Sequence, residues 1–381
     1  MDFTLNEVQA DIKSLANKIV GEQMTRERLK ELEAGTERMD RALWGELAKA
    51  NLLGIALPES VGGSGYGIME LCVVLQEVGR FVAPLPLLAT VAMAALPIAE
   101  FGTEEQQQRL LPPVVNGESV LTAALQEPLA TDPLAPATTA RRDGDGWVLD
   151  GTKVAVPWAP LADRILVNAA TGDGNVGLFL VDPSDPGVTL ARTEATNREP
   201  QGVLTLTGAR VADADVLGDP TAGTAAVEWV YRRALAGLCA TAVGVMEEAV
   251  RITAAYISER EQFERPLATF QGATLRIADA YIDTQASNVA TWSAIWRLAE
   301  GRPADDELAI AKYWVSDGGH RVVHACQHLH GGMGVDIDYP IHRYLLWGKE
   351  LELTLGGATP QLLRLGASMA GSVPNGKIEV G

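Results

Sequence analysis

Arg260-Glu261-Gln262-Phe263-Glu264-Arg265-Pro266-Leu267-Ala268-Thr269-Phe270-Gln271 joins two long helical runs and carries residues that neither helix needs. Upstream, residues 235–257 are Ala-rich and apolar at helical spacing (Leu238, Ala242, Val245, Met246, Val250), which places Arg260 at a helix end, with Pro266 expected to stop that helix. By position alone, Arg260 would be a surface arginine favoured by the helix dipole, and Phe263 and Phe270 ordinary core aromatics. A second unusual segment, His328-Leu329-His330-Gly331-Gly332-Met333-Gly334, closes another helical run farther along the chain.

The surrounding chain is large enough for two or three domains: 381 residues, 47% hydrophobic and 21% charged, the balance of a globular protein. A net charge of −18 disfavours nucleic acid or an anionic membrane as partner. It leaves room for an anionic coenzyme held by a local basic cluster. Cys72, Cys239 and Cys326 stand in apolar helical contexts without metal spacing and read as buried free thiols of a reducing cytoplasm. Met1-Asp2-Phe3 opens directly into a capped helix, so no signal peptide is expected. The apolar run 82–99 is broken by Pro84, Pro86 and Pro97, which predicts a buried turn and short helix and no membrane span. The five histidines from His320 to His342 fit no zinc spacing, and no metal is expected.

In order along the chain, residues 1–117 read as all helix. Thr4-Leu5-Asn6-Glu7 and Thr103-Glu104-Glu105-Gln106 have the form of capping boxes, and the glycine-rich loop 58–65 ends a helical unit. From 118 to 225 the hydrophobic period changes to two. The runs 147–149, 164–167, 177–181 and 203–206 are parted by Asp-Gly-type turns, which predicts a small antiparallel barrel or sandwich. From 226 to 381 helices return, near 226–258, 267–300, 304–327 and 349–370, implying a bundle with a face free for subunit contact.

Together the two unusual segments resemble the R-x-x-F…F-Q signature and the Q-x-x-G-G-x-G turn of the acyl-CoA dehydrogenase family. Asp145-Gly146-Trp147-Val148-Leu149-Asp150-Gly151-Thr152-Lys153 is similar to the family's middle domain, and Pro58–Gly65 to its P-E-x-x-G-G-x-G loop. The resemblance implies an α+β, three-domain fold: an N-terminal helical domain (1–117), a middle β-barrel or sandwich (118–225) and a C-terminal four-helix bundle (226–381). It further implies FAD shared across a subunit interface, with the pyrophosphate and adenine end held by Arg260, Phe263, Gln271, His328, Gly331 and Gly332. The chemistry suits them, since a guanidinium fork matches phosphate oxygens and glycines let backbone N–H groups approach closely. His328 stands where the family usually has Gln.

The family reaction removes a proton beside a thioester carbonyl and passes a hydride to the flavin, which requires a carboxylate base and donors around the ring. At the two positions where relatives carry the base, this chain has Gly357 and Ala234. Of the two ring-gripping loops, one keeps Glu127-Pro128 but loses the Gly-Ser pair, and the other reads Gly151-Thr152-Lys153-Val154-Ala155-Val156-Pro157-Trp158, with Ala155 for an aromatic and Pro157 for a hydroxyl residue. Pro157 offers neither a side-chain donor nor an N–H. Leu346 and Trp347 replace a common Arg-Asp pair.

Residues owed to a neighbour's FAD are largely kept, whereas those for the chain's own ring and proton abstraction are gone. The resemblance therefore points to the non-catalytic subunit of an actinobacterial α2β2 steroid side-chain acyl-CoA dehydrogenase. A homologous catalytic partner would hold the acyl-CoA. Two other readings stand beside it: a homo-oligomeric enzyme whose base has moved to Glu350 or Glu352, each expected on a solvated helix face, and a flavin-free acyl-CoA-binding or assembly protein.

Overall fold

The computed structural model describes residues 4–128 and 132–371. Helices α1 (Glu7–Gln23), α2 (Arg26–Ala34), α3 (Arg41–Lys49), α4 (Ile68–Arg80), α5 (Leu96–Phe101) and α6 (Glu104–Val115) form the first layer. At α6 the reciprocal cap of Thr103 and Gln106 forms as its sequence predicts, at 3.2 and 2.8 Å. At α1 the box lies two residues later than Thr4, between Asn6 and Gln9 (2.9 and 3.1 Å), because an Asn side chain caps as well as Thr. The run after Val82 makes a turn, a π-helical segment Leu88–Ala95 and then α5, all largely buried. Among the described residues no helix is long and apolar enough to cross a membrane.

The middle of the chain forms an eight-stranded sheet: β1 (Leu121–Ala124), β2 (Thr139–Asp143), β3 (Gly146–Pro157), β4 (Arg164–Gly172), β5 (Asn175–Val181), β6 (Val188–Glu194), β7 (Pro200–Ala212) and β8 (Val216–Leu217). Its order is β6-β7-β3-β2-β4-β5-β8, with β1 beside β4. Most pairs are antiparallel, as the hairpin turns predict, but β1 and β2 each run parallel to β4. Parallel neighbours need a long crossover, and β1 reaches β4 only after the β2–β3 hairpin has intervened. The alternating apolar residues of these strands, Leu149, Ile165, Val167, Phe179 and Leu204 among them, make a second core separate from the helical one.

The last layer holds α7 (Thr224–Glu259), a two-residue hairpin β9 (Glu261–Gln262) and β10 (Arg265–Pro266), then α8 (Gln271–Ala299), α9 (Asp305–Tyr313), α10 (Gly319–Leu329), α11 (Ile341–Leu353) and α12 (Ala358–Gly371). α7 stops before the expected Pro266. Arg260 turns extended (φ −71°, ψ 119°), and Phe263 and Glu264 sit at φ +54° and +63° as the centre of a tight turn. Non-glycine residues at positive φ cost about 1–2 kcal/mol each, so this hairpin stores strain. The expected helix 349–370 is two helices, parted where Leu355 (φ +58°) and Gly356 (φ +90°) reverse the chain. The run 304–327 is likewise divided by a π-helical turn, Trp314–Gly318.

α4 and α7 cross in backbone contact. A Cβ at Gly79 would lie 2.0 Å from the Thr241 carbonyl oxygen, and one at Gly244 1.9 Å from that of Gln76. Alanine at Gly244 must push the helices apart, and overpacking of this kind costs about 1–3 kcal/mol. Gly244→Ala is therefore expected to lower the melting temperature by several degrees, and an unchanged melt would show that the crossing is loose.

Candidate functional site

The residue just before the glycine turn packs against the end of α7. Tyr256, one turn before Arg260, stacks on His330 with ring centroids 4.3 Å apart, and both rings contact Tyr339. Arg260 and Gln271 are tied by the short link between them: Leu267 N–H donates to the Arg260 carbonyl (2.8 Å), and Phe263 meets Phe270 edge-on at 6.2 Å. The Arg265 guanidinium lies 4.0 Å over the Phe270 ring. Arg260 caps α7, Gln271 opens α8, His328 ends α10, and Gly331 and Gly332 begin the 3₁₀ turn Gly331–Val335.

All six expected residues are exposed, and Phe263 is 88% exposed, the opposite of a core aromatic. The Arg260 guanidinium makes no ion pair or hydrogen bond among the described residues. A Cβ on Gly331 or Gly332 would meet nothing within 4 Å, so the turn presents bare backbone. His330 is the histidine that packs. Its Nδ1 lies 2.8 Å from the Cys326 carbonyl, its Nε2 is buried without a partner, and burial holds its pKa below the ordinary value. An unpaired guanidinium, an exposed imidazole and amide, and open backbone suit a phosphate-bearing ligand such as the tail of FAD.

The loops that would grip a flavin ring are arranged differently. In β3 a bulge follows Lys153, and Ala155 and Trp158 adopt left-handed backbone (φ +49° and +56°). Trp158 is 3% exposed, its N–H donating to the Pro200 carbonyl (2.8 Å). The space beneath, lined by Leu88, Met93, Ala155, Pro157, Trp158 and Trp347, amounts to about 60 Å³. Ligand sites run to about 300–1,000 Å³, well above this volume.

Residues 129–131 of the first ring loop lie outside the described residues; the part that is described explains why Glu127 is retained. Its carboxylate accepts from Lys153 Nζ (2.6 Å) and from the Ala137 and Thr138 amides (2.6 and 3.0 Å). Lys153 also donates to Asn168 Oδ1 (2.8 Å). Burial pushes Lys153 down to about 8, with Glu127 opposing. Burial works to raise Glu127, but Lys153 and Thr138 outweigh it and hold the carboxyl below its usual range.

Ala234 is wholly buried, and Gly357 has no neighbour closer than 3.6 Å to an added Cβ, so neither base position holds a carboxylate although the second has room for one. Glu352 pairs with Lys349 Nζ (2.7 Å) and His320 Nδ1 (3.1 Å), away from the cavity. Glu350 departs from expectation, since it lines the cavity and accepts from Gln201 Nε2 (2.7 Å) and Thr354 Oγ1 (3.1 Å). Beside it lies Glu199, a half-buried carboxyl that sequence patterning gave no reason to select. Burial pushes Glu199 up to about 8, Glu350 adding to the shift and the Asn197 amide opposing it.

The sign of the Glu199 shift fixes a pH effect. Its folded pKa stands above the ordinary 4.5, so the folded chain holds this proton where the unfolded chain has released it. The stabilisation is complete below about 4.5 and lost as pH rises towards 8. Melting temperature is expected to fall across that window, and Glu199→Gln to flatten the decline; an identical pH profile for the variant would remove Glu199 as the cause.

Three family models match the chain: acyl-CoA dehydrogenase N-terminal domain at residues 6–118, middle domain at 123–207 and C-terminal domain at 222–369. The chain is 39% identical to the acyl-CoA dehydrogenase FadE27 of Mycobacterium tuberculosis, over 97% of this chain and 99% of that one. Among solved structures, it superposes on a variant of the Tcur3481–Tcur3483 steroid ACAD with TM-score 0.90 and 48% identity, covering 97% of this chain and 99% of the other. On the ChsE4–ChsE5 complex from Mycobacterium tuberculosis the TM-score is 0.93 at 39% identity, with 98% and 100% coverage.

Proposed function

Since the chain belongs to the acyl-CoA dehydrogenase family, a family of oxidoreductases, we propose that it serves as the subunit of a heteromeric enzyme that clamps the coenzyme tail without performing the proton abstraction. Arg260, Phe263, Gln271, His328, Gly331 and Gly332 would hold the pyrophosphate and adenine end of FAD, the ring lying in a homologous partner that also binds the acyl-CoA. FAD, when bound, supplies the hydride acceptor for α,β-desaturation. This chain's part is to bind and orient: the guanidinium fork on the phosphates, the imidazole and amide as hydrogen-bond partners, the glycine turn as a close backbone wall.

The observation that carries this reading is the small cavity of about 60 Å³ beside the second ring loop, set against the exposed Arg260 and Phe263 and the bare glycine turn. A partner is further supported by α8, which leaves Leu275, Ile282 and Val289 exposed, each one heptad from the next, beside a groove of about 770 Å³ between α8 and α10. An uncovered apolar stripe of that kind marks a packing face. Two of the solved structures similar to this chain are named as pairs of proteins, one of them as a steroid ACAD, which supports an α2β2 assembly and a steroid side-chain CoA ester as substrate.

Co-purification with an encoded neighbour of the same family, followed by a count of flavin per chain, tests the proposal. One flavin for every two chains is the expected result; one per chain overturns it, and a colourless complex favours the flavin-free reading.

The relocated-base reading draws support only from Glu350 at the cavity wall. In the proposed assembly Glu350→Gln is expected to leave turnover within about twofold of the parent, because an absent general base costs about 10²–10⁴-fold and this carboxylate is already engaged by Gln201 and Thr354. A loss of that size would transfer the base to this chain.

A further inference from the structure

At the junction of the three layers, α2, the residues after it, the β6–β7 connection and α11 enclose a small cavity of about 20 Å³ lined by Glu33, Arg38, Arg198, Glu199, Arg343 and Trp347. Three guanidinium groups converge there, and their hydrogen bonds do not close. Arg343 is 3% exposed; Nε and Nη2 form a bidentate pair with Glu33 (2.5 and 2.8 Å), but Nη1 is buried with no partner. Arg38 leaves both Nε and Nη1 buried and unpartnered, its nearest carboxylate, Glu194, standing 3.7 Å from Nη2. Arg198 makes no ion pair among the described residues. Arg38 and Arg198 both occupy left-handed backbone at φ +68°, so strained segments bring them to this point.

Most acceptors on the cavity wall are already committed. Glu33 is taken up by Arg343, and Asn197 and Glu199 bond each other, Nδ2 to Oε2 at 2.9 Å and the Glu199 amide to Oδ1 at 3.1 Å. Burial holds Glu199 protonated at neutral pH, which leaves the positive charges in excess. The neighbouring His342 answers to the same field: burial lowers its pKa, and Arg343 and Arg198 push it the same way, against Tyr339 and Glu33.

An orphaned buried donor costs about 1–3 kcal/mol, more when charged, so three such nitrogens on two residues that line one void call for an occupant. The occupant must accept hydrogen bonds, carry negative charge and be about the size of a water molecule, which needs ~10–15 Å³. Phosphate, sulfate and carboxylates are too large. We propose that this cavity is a binding site for a single halide-sized anion, chloride under ordinary conditions, held by Arg38 and Arg343 and locking the N-terminal helices, the β6–β7 connection and α11 together. Water would satisfy the donors but bring its own hydrogens up against a wall of cations. The site is independent of the flavin and of the partner proposed above.

The test is a melting series of the protein in the complex in which it is purified, with chloride varied and ionic strength held constant by gluconate, joined to bromide anomalous diffraction. The melting temperature is expected to rise by roughly 1–3 °C per tenfold increase in chloride above the dissociation constant. Bromide should appear between Arg38 and Arg343. Arg38→Gln, which removes two of the three unpartnered nitrogens, should abolish the halide-specific rise and the bromide peak. Equal melts in chloride and gluconate overturn the proposal, leaving water as the occupant. A bromide peak without any halide dependence of melting means an adventitious ion only and overturns it as well. The bromide measurement on the unaltered protein stands even if Arg38→Gln fails to fold.

Discussion

Replacing Arg260 with alanine is expected to strip flavin from the assembled complex while leaving the chain folded. The Arg260 side chain is exposed and engages nothing among the described residues, and the residue ends α7 through its backbone, N–H to the Tyr256 carbonyl and carbonyl to the Leu267 N–H (both 2.8 Å). Surface changes away from such features usually alter stability by less than about 0.5 kcal/mol. A charge-assisted contact to phosphate is worth about 1.5–3 kcal/mol, so flavin affinity should fall by roughly 10- to 150-fold. Arg260→Lys should lie between, since an ammonium gives a point charge without the planar fork. Flavin absorbance per complex after gel filtration, together with a reconstitution titration, measures both. Full flavin retention by Arg260→Ala would take the clamp away from this end of the chain.

Glu127→Ala is expected to unfold the middle sheet or come close to it. Lys153 is wholly buried, and among the described residues its ammonium rests on Glu127 and Asn168. Removing one partner of a buried ion pair leaves an uncompensated charge at a cost of about 3–5 kcal/mol, a large share of a domain's stability. Two amides, Ala137 and Thr138, lose their acceptor at the same stroke. Lys153→Met should be milder, because Glu127 keeps those two amide donors. The double variant Glu127→Gln/Lys153→Met should be more stable than Glu127→Ala, since no charge is stranded. Urea melts of the three variants decide it: a Glu127→Ala chain within about 1 kcal/mol of the parent would show that water reaches Lys153.

The contrast between these two substitutions reflects what a sequence can express. Arg260 stood out because it lies at a helix end followed by residues that no helix requires. Glu127 and Lys153 are far apart in the chain, and their sequence context marked only the loops they belong to. Their pairing depends on β3 and the segment after β1 facing each other across the sheet interior. Phe263 looked like a core aromatic by composition and is almost fully exposed, since a tight turn at positive φ points it outward. Glu350, expected on a solvated face, lines a cavity because the start of β7 lies over α11 and supplies Gln201.

What the sequence determined by itself was the succession of helical, strand and helical regions and the family. Hydrophobic period and short motifs are local, and each can be read along a stretch of backbone without knowing its neighbours. The tertiary structure alone decided that the second ring loop lies over a space of about 60 Å³, that α4 and α7 touch through Gly79 and Gly244, and that Arg38, Arg198, Arg343 and Glu199 line one cavity. Volumes, close approaches and shifted protonation arise from which surfaces exclude water between them, and residues distant in sequence make those surfaces only after the layers have packed.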